Sequence, residues 1–530
     1  MKQNKRTSKT NSYQKRDKYQ GRTQNRINAK NKRNPEVEEA DVKEIQHKYN
    51  DVSWYAKNTQ ILNDAASFSY NTPVGNGIDW ERVYDKTSPV TVELPKVVPG
   101  ICALYTAPTV GMSKDASSPA NIAAQNIYSY VRYMNSGAKN YDQADLMLYL
   151  LAMDSIYSMW NWLKRIYGYV SVYSQFNKYL PTGLAKADDI HLENIRMNLA
   201  DFREFLNTTA AQISAFCVPA VMPYFIRHSW LYSNIYKDSD LERAQLYMFT
   251  PDYFYKYSET DSKFGGSLVP VKVKNHSSGG YSFADLKGKM NELLQAVAYS
   301  EDIGVMSGDI LKAYGNEKLF KLSPVAPDYQ VLPVYNSEVL TQIHNSTIMP
   351  FVVNNTTAAK YAITQDPDRG YLVFDPEMTP FTPAQTGVFI NLPFDNPTPA
   401  DTMVATRLTS TFELDGSNAH VYTMGTEVVT RRVIITQNKG VATRHLMDSP
   451  YITLTKLSVS EGLSLISMIS SFRAFPQVSV ILDKTLDGAT GQSVAALLGD
   501  IDNFTIIDRS DLDRLHSTAV MSEFNIPQLG

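Results

Sequence analysis

Cysteine is nearly missing from this sequence: 530 residues hold two, Cys102 and Cys217, and neither has a second Cys or a His at metal-ligand spacing. A disulfide framework is thereby excluded. Histidine is also thin. The eight (His47, His191, His228, His276, His344, His420, His445, His516) stand singly, with no HExxH or HxH pair to seed a metal site. Nucleophile elbows of GxSxG form and phosphate loops of GxxxxGK[ST] form are absent. The nearest lookalike, Gly488 to Ser493, lacks the lysine that would reach a phosphate, so it reads as a loop before a helix over "SVAALLG". Asp366-Pro367-Asp368 offers two carboxylates without further oxygen donors in register, which suits solvated turn acids better than a calcium loop. No Gly-Asp-Asp triplet occurs, and nothing points to the separated carboxylates of two-metal polymerase chemistry. The expectation is a protein that is not an enzyme, with no catalytic residue, no metal and no cofactor.

Long apolar runs are missing too. The charge-free stretches 97–113 and 206–226 are broken by Pro99, Gly100, Pro108 and Gly111, and by Asn207, Gln212, Pro219 and Pro223, so neither reads as a membrane span. The basic start is not followed by an apolar h-region, which argues against a secretory signal and for a cytosolic, reduced setting. The Asn207 and Asn355 sequons then carry no weight.

What is present is a charge imbalance along the chain. Residues 1–34 hold twelve cations, Lys2, Lys5, Arg6, Lys9, Lys15, Arg16, Lys18, Arg22, Arg26, Lys30, Lys32 and Arg33, against the single acid Asp17. That segment carries +11. Because the whole chain sums to −3, the remainder carries −14. The first 34 residues also have almost no aliphatic side chains, so they cannot bury enough apolar surface to offset chain entropy and are expected to be a disordered arm. Beyond about residue 45, the 43% hydrophobic content of the chain reads as globular.

Asn34 and Pro35 with Glu36, Glu38 and Glu39 mark a helix start, followed by Val42, Ile45 and Tyr49 on one face. Residues 142–167 are apolar nearly all round, with Asp142 placed as a cap and a narrow polar stripe of Asp154, Ser158, Asn161 and Arg165; this predicts a helix buried on most of its circumference. Leu192, Ile195, Leu199, Phe202, Leu206, Ala210 and Ile213 keep a 3-4 spacing without regular flanking charge pairs, which favours a long core helix over a coiled coil. From 256 onward Gly, Ser, Lys and then Pro recur, suiting loops and edge strands. Residues 419–437 are rich in Val, Ile, Thr and Tyr, and Asn438-Lys439-Gly440 looks like a turn into "VATRHLM". Helical patterning returns at 460–472 with Ser460 as cap. No repeat of 20–50 residues is visible, which argues against a solenoid.

Tyrosine is abundant, 33 in all, clustered at 130–134, 167–179 and 252–257. Its large contact area and polar tip suit protein interfaces, with lining of internal helix contacts as the plain alternative.

The segment from Asn50 to Gly75 is similar to the one that opens the ordered part of picobirnavirus capsid proteins. The matching residues are Asn50, Asp51, Trp54, Tyr55, Lys57, Asn58, the run Asp64-Ala65-Ala66-Ser67-Phe68-Ser69, Pro73 and Gly75. The Met-Lys-Gln-Asn-Lys opening, the chain length and an α-rich body before a loop-rich region agree. The resemblance implies a coat protein of a double-stranded RNA virus, forming intertwined homodimers that tile a T=1 icosahedral shell, found in the virion and in host cytoplasm during assembly. The implied fold is α+β overall: a mainly α shell domain, a loop- and β-containing protruding domain, and the disordered basic arm. Carried onto this chain, the partition is 1–34 arm, 35–255 shell, 256–450 protrusion and 451–530 return to the shell. The partners implied are the chain itself and genomic double-stranded RNA, with no membrane.

For the twelve cations this predicts non-specific RNA binding, since counterion release favours any polynucleotide and a flexible arm offers no rigid reader for a groove. Full engagement would give a salt slope of about −11, at ~0.9 per contact. Two other readings stay open on the residues alone: a cytosolic RNA-binding enzyme with a basic recruitment tail, and a non-viral scaffold that oligomerises through its tyrosine-rich helices.

Overall fold

The computed structural model describes residues 55–68, 100–137, 141–172, 179–241, 243–259, 265–273, 279–366, 368–378, 387–415, 418–438, 441–448, 451–453, 465–466, 468–469, 472, 478–483, 492–498 and 503–526. The basic arm, the helix expected at 34–49 and the Ser460 cap lie outside them. Within the first of these stretches the chain forms one short helix, Thr59–Ala66, capped by Asn58, whose side chain accepts from the backbone N–H of Gln60 (3.0 Å) and Ile61 (3.2 Å).

In the main body, the strand Ile101–Pro108 is buried along its whole length. It pairs antiparallel with Glu427–Asn438 on one side and parallel with Leu246–Pro251 on the other. A strand buried on both faces must read as a near-continuous apolar run, and "ICALYTAP" does. Val441–Met447, beyond Glu427–Asn438, and then Tyr236–Lys237 and Val334–Tyr335, beyond Leu246–Pro251, complete a six-stranded sheet. The hairpin of Glu427–Asn438 and Val441–Met447, in register from Asn438↔Val441 to Arg432↔Met447, is where the Asn438-Lys439-Gly440 turn signal placed it. The architecture is mixed α+β.

Against the sheet lies the 28-residue helix Gln143–Val170, about 42 Å long at 1.5 Å per residue. Its start is set by a reciprocal box. Asp142 accepts from Ala144 N–H at 2.9 Å and Asp145 from Asp142 N–H at 3.1 Å. The helix is buried on every side, including its polar stripe Asp154, Ser158, Asn161 and Arg165. Trp160 and Trp162 are among the largest buried side chains; Trp160 donates to the carbonyl of Leu206 at 3.0 Å. Among the described residues no helix is long and apolar enough to cross a membrane.

Three local expectations change. The 3-4 pattern from Leu192 to Ile213 forms two helices, Leu192–Met197 and Leu199–Ile213, rather than one. They break at Asn198, whose side chain turns back to the Asn194 carbonyl at 2.7 Å, the local bond by which Asn competes with helix continuation. The stretch 256–450 contains two substantial helices, Phe283–Ala298 and Glu301–Tyr314, each capped by a serine (Ser282, Ser300) that composition alone hides. The expected helix over "SVAALLG" is instead strand Gln492–Leu498, antiparallel to Val478–Asp483. A short apolar run fits either state, and here a pairing strand decides.

The helix Arg509–Glu523 packs against Pro119–Met134, Asn418–Thr423 and Pro223–Ser233, and Phe524 just beyond it stacks on Tyr224 with ring centroids 4.6 Å apart. One core runs from Ile101 to Phe524. A satellite of Val388, Ile390, Leu392, Ala405 and Leu512 closes the small sheet of Gly387–Asn391 and Phe504–Asp508.

Candidate functional site: buried ion pairs and exposed aromatic faces

All twelve cations expected to touch RNA, from Lys2 to Arg33, lie outside the described residues. What the structure does bring together is a set of charges inside the body. Register places Glu427 opposite Pro108 at the end of the sheet, and the helix Pro223–Ser233 supplies Arg227 and His228 to it. Arg227 grips Glu427 bidentately, Nε to Oε1 and Nη2 to Oε2 at 3.2 Å, and its Nη2 also donates to Gln342 at 3.0 Å. His228 Nδ1 donates to Asp154 of the long helix at 2.6 Å, and its Nε2 lies 3.4 Å from Glu427, an ion-pair distance without the alignment of a hydrogen bond.

Asp154, His228 and Glu427 are at most 2% exposed. Burial alone would strip the imidazole of its proton, but the flanking carboxylates outweigh it and lift the His228 pKa to about 10. Burial likewise opposes the Glu427 carboxylate, yet Arg227 and His228 hold its pKa below the usual range. This node ties helix 143–170, helix 223–233 and the sheet into one charged junction.

A second junction lies on the same long helix. Arg165 and Asp188 are both fully buried and meet at 2.7 Å. Arg165 also donates to the Phe249 carbonyl at 2.7 Å, while Trp162 Nε1 and Thr250 Oγ1 each donate to Asp188 at 2.9 Å. Next to it, Asp189 sits at φ +59° and pairs with Arg444 at 2.9 Å. The Arg444 guanidinium reaches the Tyr105 hydroxyl at 2.7 Å, and Arg431 lies over the Tyr105 ring while pairing with Asp252 at 2.5 Å. Gly280 is required here: it has φ +75°, and an added Cβ would fall 2.8–2.9 Å from the backbone of residues 189–191. The narrow polar stripe of the long helix was legible in the sequence, but its partners were not. Their signals were a histidine within the largely apolar "PYFIRHSWLYS" and an acid opening "EVVTRRVII".

The tyrosine clusters divide. Tyr167, Tyr169, Tyr253, Tyr255 and Tyr257 are buried and line internal contacts, Tyr255 donating to the Tyr361 carbonyl at 2.9 Å. Tyr133, 87% exposed, faces outward from helix 119–134, whereas the partly exposed Tyr130 packs its ring on Tyr314 and donates its hydroxyl to the Ala313 carbonyl at 3.2 Å. Ile226 and Trp230 of helix 223–233, and Leu332, Val334 and Tyr335 at the sheet's edge strand, are further exposed apolar side chains. Asp366 accepts from the backbone N–H of Asp368 (3.0 Å) and Arg369 (2.8 Å), as a turn acid does. Among the described residues no group of His, Cys, Asp and Glu is arranged to hold a metal.

Among the described residues the body is tied together by internal ion pairs, with aromatic side chains such as Tyr133 exposed on its outside. Known proteins match it along nearly its whole length. Residues 54–460 fit the family model described as picobirnavirus capsid protein. The chain is 32% identical over 566 residues to the capsid protein precursor of Human picobirnavirus (strain Human/Thailand/Hy005102/-), covering 100% of both. Among solved structures, the X-ray structure of the picobirnavirus capsid superposes with a TM-score of 0.77 at 23% identity, covering 91% of this chain and 100% of that one, which establishes a shared fold. The chain belongs to the picobirnavirus capsid protein family.

Proposed function

We propose that this coat protein associates as dimers into a closed T=1 icosahedral shell around double-stranded RNA, with the basic arm holding the RNA inside without reading its sequence. The observation that carries this reading is charge segregation: +11 in residues 1–34 and −14 in all the rest. The body supports it in that four of its arginines, Arg165, Arg227, Arg431 and Arg444, each pair with a carboxylate within the fold. Phosphate affinity then rests with the arm, through Lys2, Lys5, Arg6, Lys9, Lys15, Arg16, Lys18, Arg22, Arg26, Lys30, Lys32 and Arg33 acting together. The shell comprises 35–255 with 451–530, and the protrusion lies within 256–450, whose last strands, Glu427–Asn438 and Val441–Met447, rejoin the sheet of the body. Virions are the protein's destination and the host cytoplasm its place of assembly.

Deletion of residues 1–34 tests the arm. Electron microscopy is expected to find shells at wild-type yield, and the absorbance ratio of purified particles to fall to that of protein alone. Truncated particles that still carry full RNA would overturn the RNA role, and truncated subunits that fold without assembling would make the arm an assembly element instead.

A further inference from the structure

The helix Arg509–Glu523 buries five residues: Leu512, His516, Ala519, Val520 and Glu523. Two of the five are ionisable, and of opposite sign, on the stripe that a docking helix ordinarily fills with apolar side chains. We propose that this helix is an acid-released latch, docked on the body while His516 is neutral and freed when that imidazole takes a proton.

The geometry sets the direction. His516 is 2% exposed, and its Nε2 lies 2.8 Å from the Thr409 carbonyl, which can only accept; Nε2 therefore carries the hydrogen and Nδ1 the lone pair. Nδ1 has no hydrogen-bond partner. It faces Gly425, where a Cβ would come within 3.4 Å of Nδ1 and 2.6 Å of the Arg407 carbonyl, so the glycine makes room for the ring. A proton on Nδ1 would be a buried donor without an acceptor, close to the Arg407 guanidinium. Arg407 is itself 6% exposed and is held by the Met403 carbonyl (2.9 Å) and the Thr406 hydroxyl (3.3 Å). Burial first, and Arg407 second, press the His516 pKa down to about 3.

The other charges around the seam are accounted for. Glu427 lies further in and favours the imidazolium only weakly, being gripped by Arg227 beside the His228–Asp154 pair. Glu523, on the same stripe, is pushed up by burial and by Glu427, so acid relieves it and acts in the opposite sense to His516. At the mouth, a cavity of about 370 Å³ reaches His516 between the helix and the body, lined on its charged side by Lys114, Asp115, Glu413 and Asp513. Of these Lys114 pairs with Asp375 and Glu413 with Arg509. His420 and Arg132 on the neighbouring strand and helix, and Asp508 before the first turn, complete the set. The cavity gives water and protons a route to the seam.

A histidine whose folded pKa lies below its unfolded value leaves its site fully stable above pH 6.5 and costs stability as pH falls from there towards 3. At pH 5 the His516 contribution alone corresponds to an opening constant about 30-fold above that at neutral pH, with Glu523 acting against it.

The test is hydrogen–deuterium exchange of the full-length protein, reading amides 509–526 at pH 7 and pH 5 after correction for intrinsic rates. Compared with His516→Gln, in which only the opposing Glu523 response remains, protection in the wild type is expected to drop by roughly an order of magnitude or more at pH 5, while helix 143–170 stays protected. His516→Gln, whose amide can donate to Thr409 without titrating, is expected to abolish the drop. His516→Leu, which cannot titrate and suits the largely apolar stripe, is expected to abolish the drop as well, and keeps the proposal testable if the glutamine variant does not fold. The same change between pH 7 and pH 5 in the wild type and in His516→Gln or His516→Leu overturns the latch.

Discussion

Neutralising Glu427 should unfold this protein more readily than almost any other single-atom change. Glu427→Gln keeps the shape but leaves Arg227 and His228 facing an amide, inside a junction where the carboxylate is 2% exposed and its partners are 16% and 0% exposed. Removing one partner of a buried pair costs about 3–5 kcal/mol, because the charges left behind remain desolvated. The same junction predicts an alkaline limit for the wild type. His228 has its folded pKa raised above the unfolded 6.5, so its contribution is complete below pH 6.5 and is lost as pH climbs to about 10. At about 1.4 kcal/mol per tenfold, that span is worth roughly 5 kcal/mol. The assay is denaturant unfolding followed by tryptophan fluorescence, with Trp160 and Trp162 as buried reporters, at pH 7 and at steps up to pH 10. The wild type should weaken steadily above pH 7, and Glu427→Gln should start about 3–5 kcal/mol lower with a shallower decline. A variant within about 1 kcal/mol of wild type, or a wild type equally stable at pH 7 and pH 10, would refute the idea that this junction holds the body together.

Gly280→Ala should cost about 1–3 kcal/mol, since the added methyl meets the backbone at 189–191 and φ is +75°; urea midpoints measure it, and an unchanged midpoint refutes the close approach. Tyr255→Ala, which empties a fully enclosed site and orphans the Tyr361 carbonyl, should cost about 3–5 kcal/mol. Tyr133→Ser on the exposed face of helix 119–134 should stay within about 0.5 kcal/mol in the same titration. Equal losses at the two tyrosines would erase the division between core and surface clusters.

Much about this protein follows from its residues in order. The +11 opening against a −14 remainder is a sum over side chains and needs no fold. The Asp142 box, the Asn438-to-Val441 hairpin and the all-round apolarity of helix 143–170 depend on neighbours a few positions apart, and local propensity and spacing determine such features. The similarity of Asn50 to Gly75 to the capsid family was legible for the same reason, as a contiguous motif. Elsewhere the deciding partner lies far along the chain. Asp154 meets His228 across 74 positions and Arg227 meets Glu427 across 200, and no periodicity encodes such pairings. Gln492–Leu498 became a strand because Val478–Asp483 was there to pair with it. Tyr253 and Tyr255 suited an interface or an internal lining equally well in the sequence, and burial against helix 143–170 decided for the lining. His516, one of eight scattered histidines in the sequence, acquires its chemistry only where Thr409, Gly425 and Arg407 converge on it. Local features draw on free energies available within a few residues, whereas burial and charge pairing exist only after the chain has closed on itself, so the tertiary structure alone could decide them.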